Sequence, residues 1–267
     1  MRDTAHIQFA ELPAMQSMAP ITLAEMDAIR LMNRIDTKYL TSEAVLADIL
    51  ADAARRGYRA FESEGARVSS YDTMYYDTPE LNMFLDHHGR RLVRQKVRVR
   101  VYAGTGQAFL ELKRKNNHGR TKKKRVEIPA SLFRAFQEDP SALAFLSGKS
   151  SYPAEALTPS LETVFRRITL VNAAKTERLT IDTCLCFINA RNGRQVSLRD
   201  AVIIELKQDG HARSEMKDIL LDHRVKPVRV SKYCIGVTLT DPDVKSGRFK
   251  PKVRAIEKTI QAKLETI

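Results

Sequence analysis

Hydrophobic and polar residues alternate one by one in many segments of the chain. This is the period of a β-strand with one buried face, and aromatic or β-branched residues add to the same tendency elsewhere. The pattern predicts strands over residues 34–41, 67–78, 91–103, 107–115, 122–128, 163–171, 178–187, 201–207 and 228–238. Turn sequences at 104–106 and 116–119 join the central strands as hairpins.

Other segments carry apolar residues three and four positions apart, as an amphipathic helix does. This spacing predicts helices over 22–32, 45–57, 131–136, 143–146 and 216–223, and another in the basic tail. Thr22 and Glu25 match a capping box at the start of the first helix. Residues 86–89 are predicted as a loop, and 147–159 as a connector within one domain.

About nine strands, in two sets that are each followed by helices, indicate an α+β protein. We expect an N-terminal extension over residues 1–21, one main domain over 22–242 and a basic helical tail over 243–267. With 267 residues, 43% of them hydrophobic, the chain can bury a substantial core.

The charge balance points to an anionic partner. The formal net charge is +13, which suits nucleic acid, an acidic membrane surface or phosphorylated molecules. No secretory signal and no apolar run of membrane-spanning length is visible, so we expect a cytoplasmic protein. Cys184, Cys186 and Cys234 lack the spacing of a zinc site and are interpreted as ordinary buried thiols.

Charged residues of the predicted strands share one face. In the segment from Lys96 to Val101, every basic residue points one way and every valine the other. The same parity collects the cations Arg34, Lys38, Lys96, Arg98, Arg100, Lys113, Lys123, Arg125, Arg178 and Lys207 and the acids Asp36, Glu111, Glu127, Asp182 and Glu205. A solvated outer face would explain any single strand. So many like charges on one wall would repel one another unless an anion neutralised them.

Helices are available to cover the apolar face, so the charged face is predicted to line the inside of a closed antiparallel β-barrel of eight or nine strands. A lumen of this kind requires an anionic ligand. Tyr71, Tyr75 and Tyr76 are interpreted as barrel packing, and His87, His88 and His118 as loop residues. Asp182 is either a second metal ligand or a partner of Arg178, and the pattern favours the second.

Seven motifs occur in an order that resembles the VTC domain, the polyphosphate polymerase domain of the vacuolar transporter chaperone. This family belongs to the triphosphate tunnel metalloenzymes. The motifs begin at Arg34, Tyr76, Arg98, Glu111, Arg178, Glu205 and Ser231, and the resemblance runs from about Thr22 to Thr240.

The resemblance implies a tunnel that binds a nucleoside triphosphate with Mn²⁺ or Mg²⁺ and transfers the γ-phosphate to a growing polyphosphate. It implies catalytic roles for Lys38, Arg98, Arg100, Lys113, Glu205 and Lys232, with Glu205 as the metal ligand. Phosphate binding is implied for these cations and for Lys123, Arg125, Arg167, Arg178 and Lys207. The alignment leaves Arg166 open as an alternative to Arg167, and Lys123 or Arg125 open within the KKKR run.

The chain departs from the family at two points. Asp36 stands where the first strand usually has Glu. The inositol-phosphate sensing domain and the membrane helices of the eukaryotic assemblies are also missing from the sequence. The expected partners are a nucleoside triphosphate and polyphosphate, and association with a membrane partner protein stays open.

Three other functions remain as alternatives. One is a tunnel triphosphatase, although such enzymes carry Glu-x-Glu-x-Lys in the first strand, and Arg34 replaces the first Glu here. Another is a nucleic-acid-binding protein, suggested by eight basic residues within 113–125. No nucleic-acid-binding signature accompanies this run, so nucleic acid is not expected as a partner. The last is a polyphosphate or inositol-phosphate binder without turnover.

Overall fold

The computed structural model describes residues 6–29, 31, 34–210 and 213–265. In chain order its strands are β1 (Pro20–Ile21), β2 (Ile35–Ser42), β3 (Arg59–Phe61), β4 (Ser69–Asp77), β5 (Arg94–Tyr102), β6 (Ala108–Lys115), β7 (Thr121–Ile128), β8 (Thr158–Val171), β9 (Glu177–Asn189), β10 (Gln195–Ser197) and β11 (Ala201–Gln208). The α-helices are α1 (Pro13–Ser17), α2 (Leu23–Asp27), α3 (Glu43–Arg55), α4 (Asn82–His88), α5 (Pro140–Leu146), α6 (Glu215–Asp222), α7 (Lys232–Thr240) and α8 (Lys250–Thr259).

These strands form one large sheet. Its main path runs β2-β11-β9-β8-β4-β5-β6-β7, and each neighbouring pair on this path is antiparallel. Strands β1, β3 and β10 attach beside the path, with β1 and β3 parallel. The predicted α+β class is therefore confirmed.

Helices cover the apolar face of the sheet. On one half, Leu179 and Ile181 of β9 pack in a core cluster with residues of α3 and α6. On the other half, Val97 and Val99 of β5 pack with Phe136 and residues of α5. Because side chains alternate along a strand, the residues between these positions project from the opposite, inward face.

Helix α7 lies against the inward face, at one end of the strands. Its residues pack in a cluster with Leu161, Phe165 and Phe187 of β8 and β9. A Cβ atom on Gly236 would lie 2.4 Å from Leu161 Cδ2 and 2.9 Å from Phe187 Cδ1, so only glycine permits this approach.

The strand predicted over residues 228–238 is wrong, because most of this segment is the helix α7. Its valine and threonine content suggested a strand, but packing against β8 and β9 outweighs that local preference. Ser231 is the N-cap, and its hydroxyl accepts a hydrogen bond from the Cys234 amide at 3.3 Å.

Hydrogen bonds do not close the sheet into the predicted barrel within the residues described. The path begins at β2 and ends at β7, and the strand pairings include no ladder between these two. The chain leading into α7 occupies the outer edge of β2, where Tyr39 bridges Pro227 and the Val228 amide donates to the Lys38 carbonyl at 2.7 Å. This edge is therefore unavailable to β7.

The loop predicted over residues 86–89 is also wrong, because α4 extends to His88. The buried carboxylate of Asp77 accepts hydrogen bonds from the amides of Met83 and Phe84, at 2.8 and 2.9 Å, and so caps the helix. A cap five residues before the helix lies outside the usual sequence signals. The helix predicted over 131–136 is instead two 3₁₀ turns, Ala130–Leu132 and Phe136–Glu138.

The predicted capping box is confirmed: the Thr22 hydroxyl accepts from the Glu25 amide, and the Glu25 carboxylate accepts from the Thr22 amide. Across the residues described, no helix combines the length and apolarity that crossing a bilayer requires.

Candidate functional site

The inward face carries a group of charged side chains, which we call the charged cluster. Strand β5 shows its origin, because Val97 and Val99 are buried on the helix-covered face and turn Arg98 and Arg100 inward. The cluster consists of Lys38, Arg98, Arg100, Glu111, Lys113, Lys123, Arg167, Asp182, Glu205, Lys207 and Lys232.

The sheet curls so that strands far apart in its order share this cluster. Four strands separate β6 from β11, so a flat sheet would hold them roughly 24 Å apart at about 4.8 Å per strand. Partial loss of hydration lowers the pKa of Lys113, yet the Glu205 carboxylate on β11 is close enough to offset part of this effect. The Lys113 side chain is exposed, so water reaches this part of the inward face.

Glu205 is held between two lysines. Its carboxylate lies 2.8 Å from the Lys38 ammonium and 3.5 Å from that of Lys207. Burial favours the protonated acid, but the positive charges of Lys207 and Lys38 outweigh it and hold the Glu205 pKa well below its usual range. Burial lowers the pKa of Lys207 to about 8, although Glu205 partly offsets this.

Glu111 holds a second group of cations. It is 1% exposed, with Arg98 Nε at 2.6 Å and Lys123 Nζ at 2.9 Å. Burial alone would raise the Glu111 pKa, but Arg98, Arg100 and Lys123 bring it far below the normal value. Arg98 also donates to the Tyr75 hydroxyl at 3.2 Å, and Arg100 to the Thr73 hydroxyl at 3.2 Å.

Asp182 holds the third group. Arg167 donates to both of its carboxylate oxygens, at 2.6 and 2.9 Å, and the Lys232 ammonium also donates to it. The Lys232 ammonium lies 3.4 Å from the centre of the Phe165 ring. Burial lowers the Lys232 pKa to about 7 despite the attraction of Asp182, and nearby Arg167 contributes to the lowering.

The expected pairing of Asp182 with Arg178 is therefore corrected. In the β9–β11 register, Arg178 lies opposite Lys207. Two residues along the strands, Thr180 lies opposite Glu205. Arg178 is half-buried, and its Nε atom has no hydrogen-bond partner in the described part of the chain. Burial lowers the pKa of Arg178, and Arg34 lowers it further. Arg178 thus lies beside the cluster rather than inside an ion pair.

The structure distinguishes the positions of the residues between which the sequence left a choice. Arg167 faces the charged cluster, whereas Arg166 is exposed and projects from the other face of β8. Lys123 contacts Glu111. Arg125 lies opposite Glu111 on the edge strand β7 but is exposed, with its guanidinium 4.5 Å from the centre of the Phe109 ring, and among the described residues it makes no ion pair.

Residues to which the sequence assigned no phosphate-binding role also line this face. Lys96 Nζ donates to the Ser231 hydroxyl at 2.7 Å, next to Lys232. Its parity with Arg98 was visible in the sequence. Tyr71 and Tyr75 were predicted as packing residues, yet Arg167 and Arg98 lie over their rings at 5.0 and 5.8 Å. A single sequence gives no sign that a tyrosine both packs in the interior and contacts an arginine of the cluster.

Cations outnumber carboxylates on this face, so it carries excess positive charge. Each carboxylate is already shared between cations, and several of these cations are largely removed from bulk water, which raises the cost of their mutual repulsion. A chain of phosphates would offer each arginine two oxygens and each lysine one, and would relieve that repulsion.

A divalent metal fits this face only together with a ligand. Glu205 offers hard oxygen donors that Mg²⁺ and Mn²⁺ accept. All three carboxylates of the cluster, Glu205 included, are engaged by arginine or lysine. Such ions commonly use one or two carboxylates and complete their shell with water and substrate phosphates. The donor set is therefore compatible with a metal that arrives with phosphate.

A family model described as the VTC domain matches residues 33–240. No curated protein sequence matches the chain. Among solved structures, the Hippeastrum protein HpAC1, described as having a dominant triphosphatase activity, is similar with a TM-score of 0.49 and 14% identity over 77% of this chain and 95% of its own. The PH1819 protein from Pyrococcus horikoshii OT3 has a TM-score of 0.43 and 14% identity, over 76% of this chain and 99% of its own.

Proposed function

The chain belongs to the VTC domain family, and from this premise we propose that it is a polyphosphate polymerase-like enzyme. In this proposal the charged cluster binds a nucleoside triphosphate and the end of a polyphosphate chain, with Mn²⁺ or Mg²⁺. The curled sheet then serves as the wall of a triphosphate tunnel, and the segment on the edge of β2 takes the place of a hydrogen-bonded closure.

One observation carries the proposal: among the described residues, cations from many strands and from α7 converge on the inward face and outnumber the carboxylates there. An ordinary solvated sheet would spread its charges and alternate their signs to avoid repulsion. Here the excess charge persists where hydration is incomplete, as the lowered pKa values of Lys207 and Lys232 indicate. A polyanion compensates this arrangement.

The reaction needs positioning and charge stabilisation more than covalent chemistry from the protein. An oxygen of the terminal phosphate of polyphosphate attacks the γ-phosphorus, a new P–O–P bond forms, and the bond to the β-phosphate breaks to release nucleoside diphosphate. Arg98, Arg100 and Arg167 bind non-bridging oxygens with forked donors, and the lysines act as point charges. Glu205 would hold the divalent ion, which supplies Lewis-acid stabilisation of phosphate charge.

A triphosphatase is the second candidate, with water in place of the terminal phosphate. The first strand bears on this choice, because Arg34 and Asp36 pair with each other at 2.7 Å in an exposed position. In a Glu-x-Glu-x-Lys strand, the acid at the position of Asp36 would be free to bind metal. Here Arg34 engages it, which supports the polymerase-like alternative.

Incubation of the purified protein with ATP and Mn²⁺ tests the proposal. We expect polyphosphate of many residues on a gel, with one ADP released for each phosphate incorporated. Stoichiometric orthophosphate without polymer would instead establish the triphosphatase. Salt-sensitive duplex binding without any nucleotide binding would replace both with a nucleic-acid function.

A further inference from the structure

A second group of ligating side chains lies outside the charged cluster. His6, Glu43 and Cys184 each bring one ligand atom to a site where these atoms lie within 4.8 Å of one another. They come from three separate parts of the chain: the segment before α1, the first residue of α3, and β9. A contact among residues so distant in sequence requires the folded state.

Glu43 is the centre of this group. It is 3% exposed, and one carboxylate oxygen lies 2.7 Å from His6 Nδ1, while the other accepts from the Ile7 amide at 2.9 Å. Within the described ranges, its only ion-pair partner is the His6 imidazole. A buried carboxylate is costly without a compensating cation, and a metal ion would supply one.

Cys184 reaches the group through an irregularity in β9. The β8–β9 register shifts between Val164 and Arg166, where Cys184 takes a φ of +50°. This left-handed conformation is unfavourable for a residue with a side chain, and a bulge redirects the side chains beside it. Cys186, two residues further, returns to the regular register opposite Val164.

We propose that His6, Glu43 and Cys184 form a binding site for Zn²⁺, with water in the fourth position. Zinc accepts nitrogen, oxygen and sulfur together, whereas the thiolate disfavours Mg²⁺ and Mn²⁺. Tetrahedral bonds of about 2.0–2.3 Å place ligand atoms roughly 3.3–3.8 Å apart, so the side chains need to move by only about 1 Å. The thiol and the imidazole release any protons on their ligating atoms when the metal binds.

The site would fasten the N-terminal segment to the body of the protein. Phe9, Met15 and Met18 of this segment are buried in the core cluster that also contains residues of α3 and β9. A zinc ion on His6 would join the start of the segment to the same two elements. Holding the segment in this way is independent of the proposed phosphate transfer.

Cobalt titration of the metal-free full-length protein tests the site. We expect one equivalent of Co²⁺ to bind with a thiolate charge-transfer band and visible bands of tetrahedral coordination, and Zn²⁺ but not Mg²⁺ to displace it. Cys184→Ser should remove the thiolate band, and the matched control Cys186→Ser should retain it.

His6→Ala serves as a second variant, because His6 is partly exposed and the Ile7 amide still donates to Glu43 when the imidazole is removed. It should weaken Co²⁺ binding by at least about tenfold, in the range expected for loss of a metal contact. A wild-type protein that binds no Co²⁺ stoichiometrically, or a thiolate band that survives Cys184→Ser, would overturn the proposal.

Discussion

The two ends of the inward face differ in chemistry although the same strands build both. On β11, Ile203 lies in the apolar cluster with α7, while Glu205, two residues on, lies between lysines. On β8, Phe165 belongs to the apolar end and Arg167 to the charged cluster. Alternation along each strand determines which residues face inward. Contact with α7 determines whether an inward residue belongs to the apolar core or to the charged cluster.

This difference separates the residues that stabilise the fold from those proposed to bind phosphate. The apolar end buries large side chains and contributes to folding through the hydrophobic effect. The charged end holds repelling cations with incomplete hydration, which costs stability and prepares the face for an anion. Changes at the charged end should therefore alter ligand binding or turnover, and changes at the apolar end should alter the unfolding temperature.

The largest effect is expected for Glu205→Gln. Loss of the carboxylate removes the proposed metal ligand, so turnover of ATP should fall by at least about 100-fold. Tripolyphosphate affinity should be retained or rise, because Lys38 and Lys207 lose their neutralising partner. Steady-state kinetics and calorimetry measure the two quantities.

Glu155→Gln is the matched control, since Glu155 is an exposed carboxylate of the turn that precedes β8. It should leave turnover within about twofold of the wild type, as expected for a surface change away from the site. Equal losses in the two variants would remove Glu205 from the reaction.

Arg167→Ala should weaken tripolyphosphate binding by about 10–100-fold, the range expected for charge-assisted hydrogen bonds of about 1.5–3 kcal/mol. Arg166→Ala changes the adjacent residue on the opposite face and should have little effect. Calorimetric titration of both variants provides the comparison. If Arg166→Ala weakened binding as much as Arg167→Ala, the ligand would bind outside the charged cluster.

At the apolar end, Gly236→Ala should destabilise the protein by about 1–3 kcal/mol, since a Cβ would overlap Leu161 and Phe187. Thermal unfolding should show a decrease of several degrees. Gly104→Ala is the control, because Gly104 has open space around its Cα. An unchanged melting temperature for Gly236→Ala would contradict the tight approach of α7.

Raising the pH should weaken binding of long-chain polyphosphate. The ligand favours the charged ammonium groups of Lys232 and Lys207, whose pKa values in the free protein are about 7 and about 8. Binding therefore takes up protons above pH 7, and affinity should fall by at least about tenfold between pH 6 and pH 9. Lys232→Ala should flatten this dependence, and an affinity that rises with pH would contradict the assignment.

The sequence predicted which residues share the inward face, because alternation is a local property. Arg98, Glu111 and Glu205 could all be assigned in this way. Parity could not predict that Asp182 pairs with Arg167 and Lys232, since Lys232 belongs to a helix that looked like a strand. The alternation pattern also could not predict whether the barrel closes, because closure depends on which segment occupies the edge of β2.

Lys113 offers the sharpest test of whether phosphate binds to the inward face. Lys113 has no ion pair in the part of the chain that is described, so Lys113→Ala leaves no carboxylate unpartnered. Lys122→Ala is its outward control on the neighbouring strand. Calorimetry with tripolyphosphate should show at least a fivefold loss of affinity, about 1 kcal/mol, for Lys113→Ala alone. Equal affinities for the two variants would show that phosphate binds outside the inward face.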